Sequence, residues 1–266
     1  MKTLSRYTSI AAVMMKMNIQ RGLEYPSYLI GWLISNPLQF IFGIITIKVV
    51  VSNFQPLGGW GFEQLAFLYG LGIISHGLSI ILFIQTWYMD HLVTEGEFDR
   101  MLARPLNVFF QFCFMDFNFI GFTDLLPGII IFAYGCIAVS FSFTLVNIAN
   151  LLLVIIGATA LRGAIYTLTG SLSFWIQRTS PIVHVHLRLF DYASKYPINI
   201  YPAIIQGVFT FLLPIGFISF YPASQFLNAR AGFAFPGNLC IWTFVIGIGF
   251  YMLSMWVFKV GLKRYE

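Results

Sequence analysis

The 266-residue chain is 58% hydrophobic and only 9% charged, with a mean hydropathy of +0.81. A soluble domain of this length would carry roughly a quarter charged residues, so a water-solvated fold is excluded and lipid must solvate apolar runs of about 20 residues. The net charge of +5 does not point to nucleic acid, because in so apolar a chain the positions of the basic residues matter more than their sum.

The N-terminal segment, residues 1–27, is read as an amphipathic helix along the inner membrane surface. Tyr7, Ile10, Ala11, Met14 and Met17 recur at helical spacing, and Lys2, Arg6, Lys16 and Arg21 supply the basic component. Lys16 and Arg21 interrupt the apolar stretch and no small-residue cleavage site follows, so a cleavable signal peptide is not expected.

Six apolar runs follow, at residues 28–50, 64–86, 121–141, 145–164, 201–220 and 239–258. The fold class expected is therefore an all-α polytopic membrane protein with six transmembrane helices in a single domain, residues 1–266. With both termini in the cytoplasm, all of the 15 Lys and Arg residues except Lys48, Arg162 and Arg230 fall in inner segments. On that reading Arg178, Arg188 and Lys195 share the second inner loop, and Arg162 snorkels from the inner end of the fourth helix.

Residues 87–120 form the first inner loop, and TEGEFDRMLARP (94–105) is its charged centre. Thr94 and Glu97 have capping-box spacing, and Glu95 and Glu97 suit the positive end of a helix dipole. Phe98, Met101 and Leu102 share a face, Glu97, Arg100 and Arg104 make a polar row, and Pro105 disfavours helix at Arg104. The product is a short amphipathic helix whose apolar face or ends rest on headgroups or dock on a cytoplasmic partner.

Three other features bear on chemistry. Cys113, Cys136 and Cys240 are scattered without a CxxC or Cys/His cluster, so inert thiols are expected and a metal site is not. His76 is the one titratable side chain expected near the middle of a span, in a packing or interhelical role rather than a proton relay, with Asp116 and Asp124 nearer the inner interface. HVHLRLFD (184–191) places His186 and Asp191 at the H-x-x-x-x-D spacing of some acyltransferases, although a surface loop explains it as well.

The run GEFDRMLARPLNVFFQ (96–111) resembles the loop of bacterial ABC-2 type transporter permeases, whose G-x-x-D-x-x-L-x-R-P pattern is met by Gly96, Asp99, Leu102, Arg104 and Pro105. GSLSFW (170–175), YPINIYP (196–202) and FISFYPA (217–223) extend the resemblance over most of the chain. It implies an N-terminal elbow helix, six spans, a coupling helix in the first inner loop and a re-entrant segment before the last span, residues 221–238, on the outer side. It also implies a conduit at the interface of two permeases, lined by the first, second and fifth helices. No GxxxxGK[ST] phosphate loop occurs, so no cofactor is expected in this chain, and ATP and Mg belong to a separate ATPase. The expected partners are an ABC ATPase in two copies, a second permease subunit, identical or related, and membrane lipids, with no nucleic acid, in the bacterial cytoplasmic membrane. The residues expected to couple to the ATPase are Glu95, Gly96, Glu97, Phe98, Asp99, Arg100, Met101, Leu102, Arg104 and Pro105. Twenty-nine Phe and 13 Tyr favour an amphipathic or hydrophobic substrate. An ion-coupled secondary carrier and an acyltransferase-like membrane enzyme remain as alternatives.

Overall fold

Backbone amides cannot be left unpaired in hydrocarbon, so long apolar runs close their hydrogen bonds within helices. A computed structural model describes residues 2–24, 26–53, 57–115, 118–119, 121–176 and 178–265 of the chain. Among them the helices are α1 (Lys2–Leu23), α2 (Pro26–Asn53), α3 (Phe62–Phe83), α4 (Met89–Thr94), α5 (Glu97–Leu102) and α6 (Val108–Met115). They continue with α7 (Gly121–Ala138), α8 (Leu145–Ser171), α9 (Ser180–Lys195), α10 (Ala203–Gly207), α11 (Phe220–Phe226) and α12 (Leu239–Tyr265). Among the described residues no strand forms beyond a single bridge between Leu57 and Trp60.

Five segments are long and apolar enough to cross a membrane: Leu29–Asn53, Phe62–Thr94, Gly121–Ala138, Leu145–Phe174 and Leu239–Tyr265. They match five of the six expected runs. The remaining run, 201–220, is not one helix. Pro202 precedes α10, a π-helical turn follows over Val208–Leu212, and the chain breaks at Leu213 before Pro214. A proline lacks an N–H and pushes its predecessor out of helical geometry, and Leu213 accordingly sits at φ −120°, ψ 89°. A 3-10 turn over Ile215–Ile218 and α11 then fold back, so that Thr210 Oγ1 lies 2.6 Å from Tyr221 Oη.

Helix α9 runs beside α3. Its first residue, Ser180, is bonded to Asp90 in α4, while just past its other end Asn199 Nδ2 donates to the Gly58 carbonyl ahead of α3 at 2.8 Å. This stretch therefore runs from the α4 end of α3 to its beginning. Arg188 and Lys195, expected in one surface loop with Arg178, lie along α9 instead.

Small residues set the spacing within two helix pairs. On α3 and α7, a Cβ at Gly70 would come within 2.5 Å of Phe132 Cα, and one at Gly135 within 2.6 Å of Phe67 Cα. On α8 and α12, a Cβ at Gly157 would meet Phe244 Cα at 2.6 Å, and one at Gly247 would land on the Gly157 carbonyl. In lipid, such close backbone approach is what holds helices together. At the turn end of the molecule Asn238 caps α12, its Oδ1 accepting from Cys240 N at 2.8 Å, while its Nδ2 reaches Asn150 of α8 at 3.2 Å.

Helix α1 packs on α6. Asn18 Nδ2 donates to the Phe114 carbonyl at 3.3 Å, Tyr7 Oη accepts from Asn107 N at 3.2 Å, and Tyr7 meets Phe110 edge to face. Met17, expected on the apolar face, is 59% exposed.

Candidate functional site

Among the described residues, charged and polar side chains gather in the loop carrying α4, α5 and α6 and in a cleft between α2 and α9.

In the loop, the expected Thr94–Glu97 capping box does not form. Thr94 closes α4 by donating back to the Asp90 and His91 carbonyls at 2.9 and 3.0 Å. Gly96 occupies the N-cap position of α5 at φ 72°, a left-handed geometry that glycine adopts without cost. Helix α5 ends at Leu102, two residues before Arg104. The expected apolar docking face is also largely committed within the chain. Phe98 is fully buried among Phe112, Phe174, Phe258 and Tyr265, with ring centroids 5.3–6.2 Å away, and Met101 is buried beside it. Burial of a large aromatic is the dominant local energy, so Phe98 and Met101 are unavailable to a partner. Leu102 and Glu97 are half-buried, and Gln111 staples the loop from within by donating to the Met101 and Leu106 carbonyls at 2.9 and 3.1 Å. What the loop presents outward is Glu95, Asp99, Arg100, Arg104 and Pro105, with Arg100 paired to Glu97 at 2.9 Å. Cys113 on α6 fits the expected inert thiol: burial pushes it up to about 12.

The loop is tied to α9 through Asp90. Its Oδ2 accepts from Thr179 N at 3.2 Å, from Ser180 N at 3.0 Å and from the Ser180 hydroxyl, and its Oδ1 accepts from His91 N at 2.9 Å. A carboxylate here satisfies first-turn amides of α9 and complements its dipole. One side chain thus joins the segment leading into α5 to the helix that walls the cleft.

The cleft has a volume of about 770 Å³. Helix α9 supplies His184, Arg188, Asp191 and Lys195, spaced by four, three and four residues and so on one stripe. Its opposite face buries Val183, His186 and Ala193, and Phe190 is buried at the edge of the cleft. Helix α2 contributes Trp32, Asn36, Gln39, Phe40 and Gly43, and the floor is α3 with Tyr69, Gly72 and His76.

Behind this floor, five helices are cross-linked by polar groups. Asn36 Nδ2 (α2) donates to Asp124 Oδ1 (α7) at 2.6 Å, and Asp124 Oδ2 lies 3.8 Å from His76 Nε2 (α3). Arg162 (α8) reaches His76 Nδ1 at 3.5 Å, the Gly72 carbonyl at 3.4 Å and Ser194 Oγ of α9 at 3.2 Å, and stacks over Phe190 at 4.6 Å. A guanidinium can only donate, so Nδ1 is the acceptor and the ring hydrogen sits on Nε2, toward Asp124. Arg162 is 3% exposed. It therefore turns inward to this network and does not snorkel, and His76 has the expected interhelical role in a larger company than expected. Asp124, in the first turn of α7, is buried; Asp116 lies outside the described residues.

The acyltransferase spacing has no matching geometry. Asp191 pairs with Lys195 at 2.8 Å, whereas His186 is buried and stacked on Tyr166, with neither ring nitrogen partnered. No group of three or more His, Cys, Asp and Glu side chains that could hold a metal ion occurs among the described residues.

A family profile described as "ABC-2 family transporter protein" matches residues 38–266. No curated protein matches the chain.

Proposed function

The chain belongs to the ABC-2 family of membrane transport components, and from that premise we propose that it is the permease subunit of an ATP-driven exporter for an amphipathic or hydrophobic substrate. The observation that carries the proposal is the α2–α9 cleft, a polar-lined space on a multi-pass apolar bundle. Ionisable groups inside a membrane protein mark the route of its cargo. In this reading α9 with the turn after it makes the sixth crossing, residues 203–226 form a re-entrant hairpin, α1 is the elbow and α5 is the coupling helix. Both termini then face the cytoplasm. Two ATPase subunits would grip two permeases, identical or related, and ATP would favour one of two packings of the bundle.

The contact with the ATPase is assigned to the outward residues Glu95, Asp99, Arg100, Arg104 and Pro105. A charged rim of this kind sets recognition and register more than raw affinity. The test is co-elution of a nucleotide-binding subunit with the permease in detergent, and its loss in an Asp99→Lys, Arg104→Glu variant that still purifies as a monodisperse permease. Full co-elution and transport by that variant would place the contact elsewhere. The Asp124–His76–Arg162 network favours one other reading, an ion-coupled carrier. ATP-independent, proton-dependent transport that is abolished by His76→Gln would support it over the exporter.

A further inference from the structure

Charge in the α2–α9 cleft is unevenly satisfied. Asp191 is engaged by Lys195, and Asp124 by Asn36. Arg188 is exposed along the cleft wall and has no carboxylate partner among the described residues. Deeper in, the buried Arg162 keeps its Nε unpaired. The facing side of α2 brings Trp32, Phe40 and Phe42 to the same space. An exposed guanidinium with no carboxylate partner is free to meet an anion, and the planar fork of arginine matches an oxyanion in bidentate fashion. Asp191 is neutralised by Lys195 and Asp124 is buried against Asn36, so a cationic headgroup would find no exposed, unpaired carboxylate among these cleft residues.

We propose that the cleft selects an amphiphile with an anionic oxyanion headgroup, phosphate or carboxylate. Arg188 is the principal headgroup contact and the aromatic side of α2 receives the apolar body. Lys195 is a reserve cation, held back by Asp191. This deepens the exporter reading and rests on it.

The test uses the permease–ATPase complex in phosphatidylcholine nanodiscs, with binding followed by calorimetry. The probes are dioctanoyl phosphatidic acid, dioctanoyl phosphatidylcholine and inorganic phosphate. Phosphatidic acid is expected to bind well above the other two, and Arg188→Gln to weaken it by about tenfold or more while leaving phosphatidylcholine unchanged. Asp191→Asn frees Lys195 and is expected to tighten phosphatidic acid, an increase that general damage to the fold would not produce. Equal binding of the two lipids, or an Arg188→Gln variant that binds like wild type, overturns the proposal. Inorganic phosphate binding as tightly as phosphatidic acid overturns the role of the apolar wall and leaves a small-anion site. If the ATPase fails to co-elute, the exporter reading falls, whereas an intact complex without charge selectivity counts against this inference alone.

Discussion

Replacing Asp90 with alanine removes the acceptor for Thr179 N, Ser180 N and the Ser180 hydroxyl at once. Loss of an N-cap acceptor costs about 0.5–2 kcal/mol, and bonds to a charged partner are worth about 1.5–3 kcal/mol each. Water at the helix end can recover part of this, so the net loss is expected at about 2–3 kcal/mol. For a chain of this size, that lowers the unfolding midpoint by roughly 4–12 °C. Asp90→Asn keeps one carbonyl acceptor and should lose about half as much. Ser180→Ala alone should cost about 1 kcal/mol and add little in the Asp90→Ala background, because the two side chains share one interaction. Thermal unfolding of the four proteins in one detergent, followed by intrinsic fluorescence, makes a double-mutant cycle. An unchanged midpoint in Asp90→Ala, or full additivity of the pair, would refute the clamp between the loop and α9.

Three further outcomes are expected. Phe98→Ala empties the centre of the aromatic cluster, at a cost of about 3–5 kcal/mol, so the yield of folded permease should collapse; a well-folded but uncoupled variant would contradict the packing. Gly247→Leu forces α12 off the Gly157 carbonyl and should lower the unfolding midpoint more than Gly249→Leu, whose Cβ meets nothing within 4 Å; equal effects would dissolve the α8–α12 seam. Because the thiolate is the reactive form and Cys113 is pushed up to about 12, maleimide at pH 8 should label it far more slowly than an unhindered cysteine until denaturant is added. Labelling at ordinary thiol rates would show that the α6 packing is open.

Residues 28–50, 64–86, 121–141, 145–164 and 239–258 were legible as helices because lipid burial demands long, uninterrupted apolar runs. Helix α9 was not, since His184, Arg188, Asp191 and Lys195 give one face the composition of a surface loop. Conversely, 201–220 has the composition of a span but not the backbone for it, with Pro202 and Pro214 dividing it into pieces that fold back. In the loop, the i, i+3 spacing of Thr94 and Glu97 suggested a cap, yet Gly96 between them takes a left-handed turn and leaves Thr94 on the preceding helix. His76, Asp124 and Arg162 stood out singly as polar residues in an apolar chain, but Ser194 did not, nor did their meeting. His76, Asp124, Arg162 and Ser194 lie on four helices, and their sequence separations carry no sign that they meet.

The glycine seams also bear on how this molecule can deform. Where backbone rests on backbone, as between α3 and α7 and between α8 and α12, sliding by one turn would drive side chains into main-chain atoms. These pairs behave as two stiff beams. Helix α9, which closes the cleft, is held differently, by polar bonds at either end. A load applied at Asp90 would therefore enter α9 at its first turn, through the Thr179 and Ser180 amides.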